Sequence, residues 1–419
     1  MRAMAAFAPR GTRLLLVNSF LATIPMGFLM VDAPLYLARV GLPAVFIGLL
    51  YAISGLASSL LVAFSGILAD RFGRARFLVA GTALPVASYV ILALSTDPAW
   101  LVVAAALGGV GLANGAAGAL TVASYDALLA ERTEASTRTH VFAAAQALWN
   151  LAIAVGAAAA GIPQLLREHG LDDVASYRPA FIVAIVIGIV ATASIMPLRE
   201  RPHETARPTG WLPRESGRAI ARYSLAIGLL GFGLGVAVQL MPLWFNERFG
   251  VGEADLAPWF AVSQLSSIAS IAVVPWLDRR FGAGRSILTM QVGAGLILAS
   301  MVALPVFWLA ALFYVVRSFL TNICWPFQQS LLMSTVAPHE RGSAAGIGFA
   351  VWGLANAVGP GVAGVLIGTG VLALPLLVGA AAYAAAGAAF GLGLARIPPA
   401  RAPTAATAAL TTLPPEPLP

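Results

Sequence analysis

Twelve runs of mainly apolar residues alternate along the chain with short polar links. They cover roughly residues 14–38, 44–69, 77–95, 100–123, 140–166, 179–197, 223–245, 256–277, 286–304, 306–333, 343–369 and 371–395. A helix needs about 20 such residues to cross a bilayer, and in lipid its backbone must bond internally. The period-two alternation of a membrane β-barrel is absent. The pattern therefore predicts an all-α membrane protein of twelve transmembrane helices. The longest internal polar break, LRERPHETARPTGWLPRESGR, divides the spans six and six. The expected organisation is a cytoplasmic N-terminal segment 1–13, six-helix bundles at 14–198 and 219–396, a cytoplasmic central loop 199–218, and a Pro/Ala/Thr-rich disordered tail 397–419.

Only 10% of the 419 residues are charged and 59% are hydrophobic, against about 25% charged in soluble domains. A net charge of +7 would suit nucleic acid, but every basic residue is an arginine sited between or beside apolar runs. Such placement marks topology, and no nucleic-acid partner is expected. With the N-terminus inside, the inner segments hold twenty arginines. The outer links hold four: Arg39, Arg167, Arg178 and Arg248. Arg317 lies within a span. This split supports an even number of spans with both termini cytoplasmic. The basic start MRAMAAFAPRGTR leads into an apolar run too long for a signal-peptide core, so it reads as the first span. The one cysteine excludes an internal disulfide, the four histidines form no metal pair, and no Walker loop is present. No cofactor or metal is expected, and no nucleophile motif suggests an enzyme.

The halves repeat. Arg138, Trp149, Gly156 and Gly161 match Arg341, Trp352, Gly359 and Gly364 at one constant offset of 203. Asn114 matches Asn322, Pro34 matches Pro242, and Arg71-Phe72-Gly73 matches Arg280-Phe281-Gly282. Coincidences in chain order at nearly one offset indicate a duplicated six-helix unit, related by pseudo-two-fold symmetry as in one large transporter class.

The link after span 2, GILADRFGRARFL, puts an acid and three arginines between apolar runs. Gly66 permits close helix approach and Gly73 a tight turn. Asp70 suits the positive end of a neighbouring helix, and the arginines can reach acids such as Asp126, Glu131 or Glu340. The stretch resembles the signature loop of the major facilitator superfamily at Gly66, Leu68, Asp70, Arg71, Gly73, Arg74, Arg76 and Leu78. A worn copy, PWLDRRFGAGRSIL, carries Asp278, Arg280, Gly282 and Arg285. The resemblance implies a twelve-helix secondary transporter, nearest in kind to drug/proton antiporters. It makes the loop a latch that closes the inner side, with Asp70 facing the start of span 11 near Gly342. Two family features are missing. Span 5, NLAIAVGAAAAGIP, lacks the antiporters' Gly-Pro pair, which occurs only as Gly359-Pro360 in span 11, where it suggests a hinge. Span 4 lacks their arginine.

Asp32 is the only acid deep in a span, and Phe28, Asp32 and Tyr36 share one helix face. An ionisable group in a membrane helix is a functional candidate by default. Asp32 is therefore the proton-coupling candidate, the bland alternative being an edge acid paired with Arg39. Arg317, Thr321, Trp325 and Gln328 line one stripe of span 10, with Asn322 beside it. Arg317 suits an anionic or carbonyl-bearing ligand, or a charge pair within the second half. The resemblance places spans 1, 4, 7 and 10 around the central cavity, so Asp32 and Arg317 would face one space. Asn114, Gln146, Asn150, Gln239 and Gln264 complete the cavity candidates, although amides also join helices as plain packing groups. Trp149 and Trp352 read as packing residues able to stack on flat substrates. GGVGLANGAAG and GIGFAVWGLANAVGPGVAG read as small-residue faces for close helix crossing.

The expected function is secondary active transport of a small molecule by rocker-switch alternating access, as proton-coupled efflux from a bacterial inner membrane by a monomer. The competing readings are a uniporter or symporter for a sugar, organic anion or metabolite, and, further off, a membrane-embedded sensor or enzyme.

Overall fold

The computed structural model describes residues 10–111, 114–134, 137–198 and 215–394. Most of the loop 199–218 and all of the tail 397–419 lie outside them. The described residues form helices α1 Arg10–Arg39, α2 Ala44–Phe72, α3 Arg74–Leu94, α4 Pro98–Leu107, α5 Gly115–Glu131, α6 Arg138–Ala159, α7 Ile162–Glu168, α8 Arg178–Ile195, α9 Gly217–Val238, α10 Met241–Phe249, α11 Glu253–Ser300, α12 Phe307–Thr335, α13 Arg341–Gly368 and α14 Ala373–Ala388, the last continued by a π turn to Leu394.

Among the described residues, ten helices are long and apolar enough to span a bilayer. Twelve were expected, and the difference falls at two places. Residues 100–123 do not form one helix. Gly109, Gly111 and Gly115 adopt positive φ of 83°, 60° and 51°, so GGVGLANG breaks the span into α4 and α5 rather than forming a helix face. Without a Cβ these glycines enter the left-handed region at little cost. Ser54 and Ser88 accept hydrogen bonds from the Gly115 and Gly108 N–H groups, 3.0 and 2.8 Å away. The second place is the pair of spans 256–277 and 286–304. They run as the single stretch α11, interrupted by the non-helical Gly282 at φ 72°, ψ 164°. The aligned residue Gly73 has φ 103° and separates α2 from α3. Repeated loop sequences thus take related backbone conformations. By contrast, α13 runs through Gly359-Pro360 without a break.

Helices pair off along the chain. In the first half α1 packs on α6 and α8, and α3 on α8. In the second, α9 packs on α13 and α14, and α11 on α14. Between the halves, α2 lies along α13 and α6 along α11.

Glycine sets the closest crossings. A methyl on Gly156 would overlap the Ile24 carbonyl oxygen and crowd Gly27, while one on Gly27 would overlap the Ile153 carbonyl. In the second half Gly359 and Gly235 meet backbone to backbone in the same way. Gly48 and Gly364 do so between α2 and α13. In lipid, where apolar contact with a neighbour gains little over contact with acyl chains, this close approach supplies the attraction.

Gly156→Ala should therefore lower the thermal midpoint of the detergent-solubilised protein, at a cost of about 1–3 kcal/mol from overpacking. Gly346 in α13 faces open space. Gly346→Ala should leave the midpoint unchanged or raise it, the helix gaining about 0.5–1 kcal/mol.

Candidate functional site

At the end of the helix pack where α1 terminates, four side chains of the first half gather around one carboxylate of the second. Glu253, the first residue of α11, has a fully buried side chain. Arg39 Nε, from the last turn of α1, lies 3.3 Å from its Oε1. Arg167, from α7, donates Nη2–H to Oε2. Tyr177, just before α8, donates its hydroxyl to Oε1. Asp173 holds the two arginines together, with contacts of 3.3 Å from Arg39 and 3.8 Å from Arg167. Arg167 Nη1 also donates to Ser176 Oγ at 3.1 Å, and its guanidinium lies over the Tyr177 ring. Beside this cluster Gln164 accepts the Ala254 N–H at 2.9 Å, a second tie between the halves. A depression of about 410 Å³ opens over it, lined by Arg39, Gln164, Arg167, Asp173, Asn246 and Asp255.

Three charge-assisted donors on one carboxylate explain how it lies fully buried, since an unpaired charge there would cost several kcal/mol. Its position at a helix N-terminus adds a favourable dipole. Sequence reasoning missed Glu253. The available signal was an acid in GVGEADLAPW on the same side as Arg39 and Arg167, the side where arginines are scarce.

Asp32 lies about two helical turns before Arg39 on α1. It is fully buried, and neither carboxyl oxygen has a hydrogen-bond partner among the described residues. Phe28 and Tyr36, one turn either side, pack on Phe181 with ring centroids 6.1 and 5.1 Å apart, and Tyr36 also meets Tyr177 at 5.2 Å. The Phe28–Asp32–Tyr36 face is thus turned to α8 and the cluster. Tyr36 donates its hydroxyl to the Leu92 carbonyl at 2.8 Å. Arg39 binds Glu253 and Asp173, not Asp32.

Arg317 is buried in the second half. Its Nη2–H donates to the Tyr383 hydroxyl of α14, its Nη1–H to Ser318 Oγ at 3.3 Å, and it lies over the Tyr314 and Tyr383 rings. Its partners among the described residues do not include Asp32. Thr321 donates to the Arg317 carbonyl at 3.0 Å, and Asn322 to Ser267 of α11 at 2.8 Å. Gln328 is buried with both amide atoms unpartnered among the described residues. Trp325 is exposed and lines a cavity of about 190 Å³ with Tyr223, Gln329, Phe349 and Trp352. Gln239 donates to Asn356 at 3.1 Å, and Gln264 reaches Met30 Sδ at 3.5 Å, joining α11 to α1. Asn150 is buried, Gln146 is exposed, and Asn114 is half-buried where α5 starts.

At the opposite end, Arg74 pairs with Glu131 inside the first half. Glu340 accepts the backbone N–H groups of Glu215 and Ser216 at 3.0 and 2.8 Å. Arg71, Asp278 and Arg280 are exposed. The surroundings of Gly66 and the side chain of Asp70 lie outside what is described.

These features sit on a fold with known relatives. The family model of the Major Facilitator Superfamily matches residues 15–360, and the chain belongs to that superfamily. It is therefore an integral membrane transporter of small molecules, not an enzyme. Multidrug resistance protein 2 of Bacillus subtilis (strain 168) is 22% identical over 365 residues, 84% of this chain and 88% of that one. Among solved structures, the nucleoside transporter NupG superposes with a TM-score of 0.71 at 15% identity, over 93% of this chain and 100% of NupG. A bacterial homologue of the human lysosomal transporter Spinster, inward-facing and occupied, gives 0.67 at 15% identity, over 92% and 94%.

Tyr383→Phe removes the hydroxyl that accepts from the buried Arg317 guanidinium. It should lower the thermal midpoint, at a cost of about 1–3 kcal/mol. Arg317→Met in the same background should recover part of the loss.

Proposed function

We propose that the chain is a proton-coupled exporter of a small molecule, working by rocker-switch alternating access in a bacterial cytoplasmic membrane. In this reading twelve spans form two six-helix bundles, 14–198 and 219–396, with both termini inside and the Arg39 end outside. The single observation that carries it is Asp32. A carboxyl fully buried with no hydrogen-bond donor among the described residues suits a group that holds a proton in one access state and releases it in another. The multidrug resistance relative supports export. The sequence repeat, the matched glycine crossings and the paired helix contacts support two bundles moving against each other about α2–α13 and α6–α11. Trp325 and its aromatic neighbours are the substrate-facing candidates of the second half. In this reading the transporter acts as a monomer, and the ion pairs joining the halves at the Arg39 end support an outside-closed conformation.

The test uses energised inverted vesicles, a compound panel and a pH-sensitive dye. Compound-dependent proton release is expected from the wild type, and Asp32→Asn, still folded, should reduce it at least about tenfold. If compounds move with no proton flux, a facilitator replaces this reading.

A further inference from the structure

Glu253 is assigned no role by the superfamily loop, and it is the residue on which the two halves meet. We infer that the Glu253 cluster is the outer gate of the transporter, and that the proton on Asp32 sets its strength through the helix face that packs on Tyr177. This rests on the reading of Asp32 as the proton site.

The gate follows from the bonds. Glu253 belongs to the second half, and its donors Arg39, Arg167 and Tyr177 all belong to the first. The outer ends of the halves cannot part without breaking all three contacts. Each is charge-assisted and made to a carboxylate that is itself fully buried, so each is stronger than a surface ion pair.

The coupling follows from where Asp32 lies. Its face of α1 packs on Tyr177 and Phe181 through Phe28 and Tyr36, and Tyr177 carries one of the gate's bonds. The titratable and charged groups on the elements packed against this face are Tyr36 on α1 and Tyr177 before α8, followed by the gate's own Arg39, Arg167, Asp173 and Glu253. As a neutral acid Asp32 leaves the cluster undisturbed, with two arginines serving Glu253. As an anion it stands fully buried without a hydrogen-bond donor among the described residues, on the helix face that packs on the gate's Tyr177. That stress is relieved when the outer ends part and water enters. Protonation thus favours the closed outer side, and loss of the proton favours opening. The sign fits exchange: a proton taken from outside closes the outer gate behind it, and its release inside readies the gate to open for export.

Spin labels at Leu171 and Glu247 report the gate. Leu171 is exposed in the link before α8 and Glu247 is exposed on α10, so the pair spans the two halves. Both become cysteines in a Cys324→Ser background, and pulsed dipolar spectroscopy measures their distance distribution in nanodiscs. Glu253→Gln should shift the ratio of short to long distances toward long by about tenfold. Tyr177→Phe, which keeps the ring and loses one donor, should shift it less and guards against misfolding. In the otherwise unmutated chain, raising pH from about 5 to about 8 should lengthen the distance, and Asp32→Asn should hold it short throughout. An unchanged distance in both Glu253→Gln and Tyr177→Phe overturns the gate. A distance indifferent to pH, or a pH response that survives Asp32→Asn, overturns the coupling. Failure of the export reading is separate, since it shows as absent proton flux in vesicles while the spin-label response to pH persists.

Discussion

A charge carried into an apolar interior costs several kcal/mol unless hydrogen-bonding partners are already there to meet it. In a chain so poor in charge, each buried ionisable side chain is an arrangement that the surrounding helices must hold. Three such side chains show three solutions. Glu253 is met by two guanidinium groups and a phenol from the other half of the chain. Arg317 is met by a phenol, a serine hydroxyl and two ring faces of its own half. Asp32 is met by no donor among the described residues. The first solution ties the halves together, and the second stabilises one half internally. The third leaves a group whose comfort depends on its protonation. Their different consequences come from partner geometry, not from depth.

The helices reach these partners because glycine lets backbones approach. Gly27 against Gly156 brings α1 and α6 together about one and a half turns from Asp32. Gly235 against Gly359 does the same for α9 and α13. Between the halves, the Gly48–Gly364 crossing is made of backbone and small side chains. Contacts of this kind have no long side chains to disengage, so they can serve as a pivot while ion pairs at the ends form and break. At the Arg39 end, ion pairs of Glu253 with Arg39 and Arg167 and a hydrogen bond to Gln164 join the halves. An end that can grip and release, and a smooth middle to turn on, are what a rocking motion needs.

Much of this was legible in the sequence, because lipid imposes a simple rule on span length. The long apolar runs, the superfamily loop at Gly66–Leu78 and the repeat register were readable as patterns, and the family follows from them. Helix breaks were less legible. GGVGLANG supplies small residues, which serve a close crossing as well as a left-handed turn, and only the backbone angles decide between them. Likewise Gly282 was read as part of the loop, while its helix continues on both sides. At the site, Asp32 was visible because a lone acid in a span is conspicuous. Glu253 was not, because it lies at a span boundary, where acids are common and usually solvated. Its burial comes from Arg39, Arg167 and Tyr177, which are far from it in sequence. The destination of Arg317 was ambiguous for a related reason. Its acceptor, Tyr383, carries no charge and gives no sign of pairing in a reading that seeks opposite charges.

The two halves repeat in sequence, Arg138, Trp149 and Gly156 matching Arg341, Trp352 and Gly359, and they differ where chemistry enters. α12 runs unbroken from Phe307 to Thr335 and carries Arg317, whereas the corresponding first-half segment is split into α4 and α5 and carries no arginine in either piece. The first half holds its buried acid on α1. The matching stretch around Gln239 and Leu240 holds an amide, bonded to Asn356. A symmetric pair of bundles sharing one response to protonation would have no preferred direction of change at that step. In the proposed coupling, placing the acid in one half and its gate carboxylate in the other makes the response relative: a proton gained on α1 would alter how firmly the first half grips the second. In that proposal the asymmetry in side chains couples the motion to the proton, while the Gly27–Gly156 and Gly235–Gly359 approaches keep the helix crossings alike in the two halves.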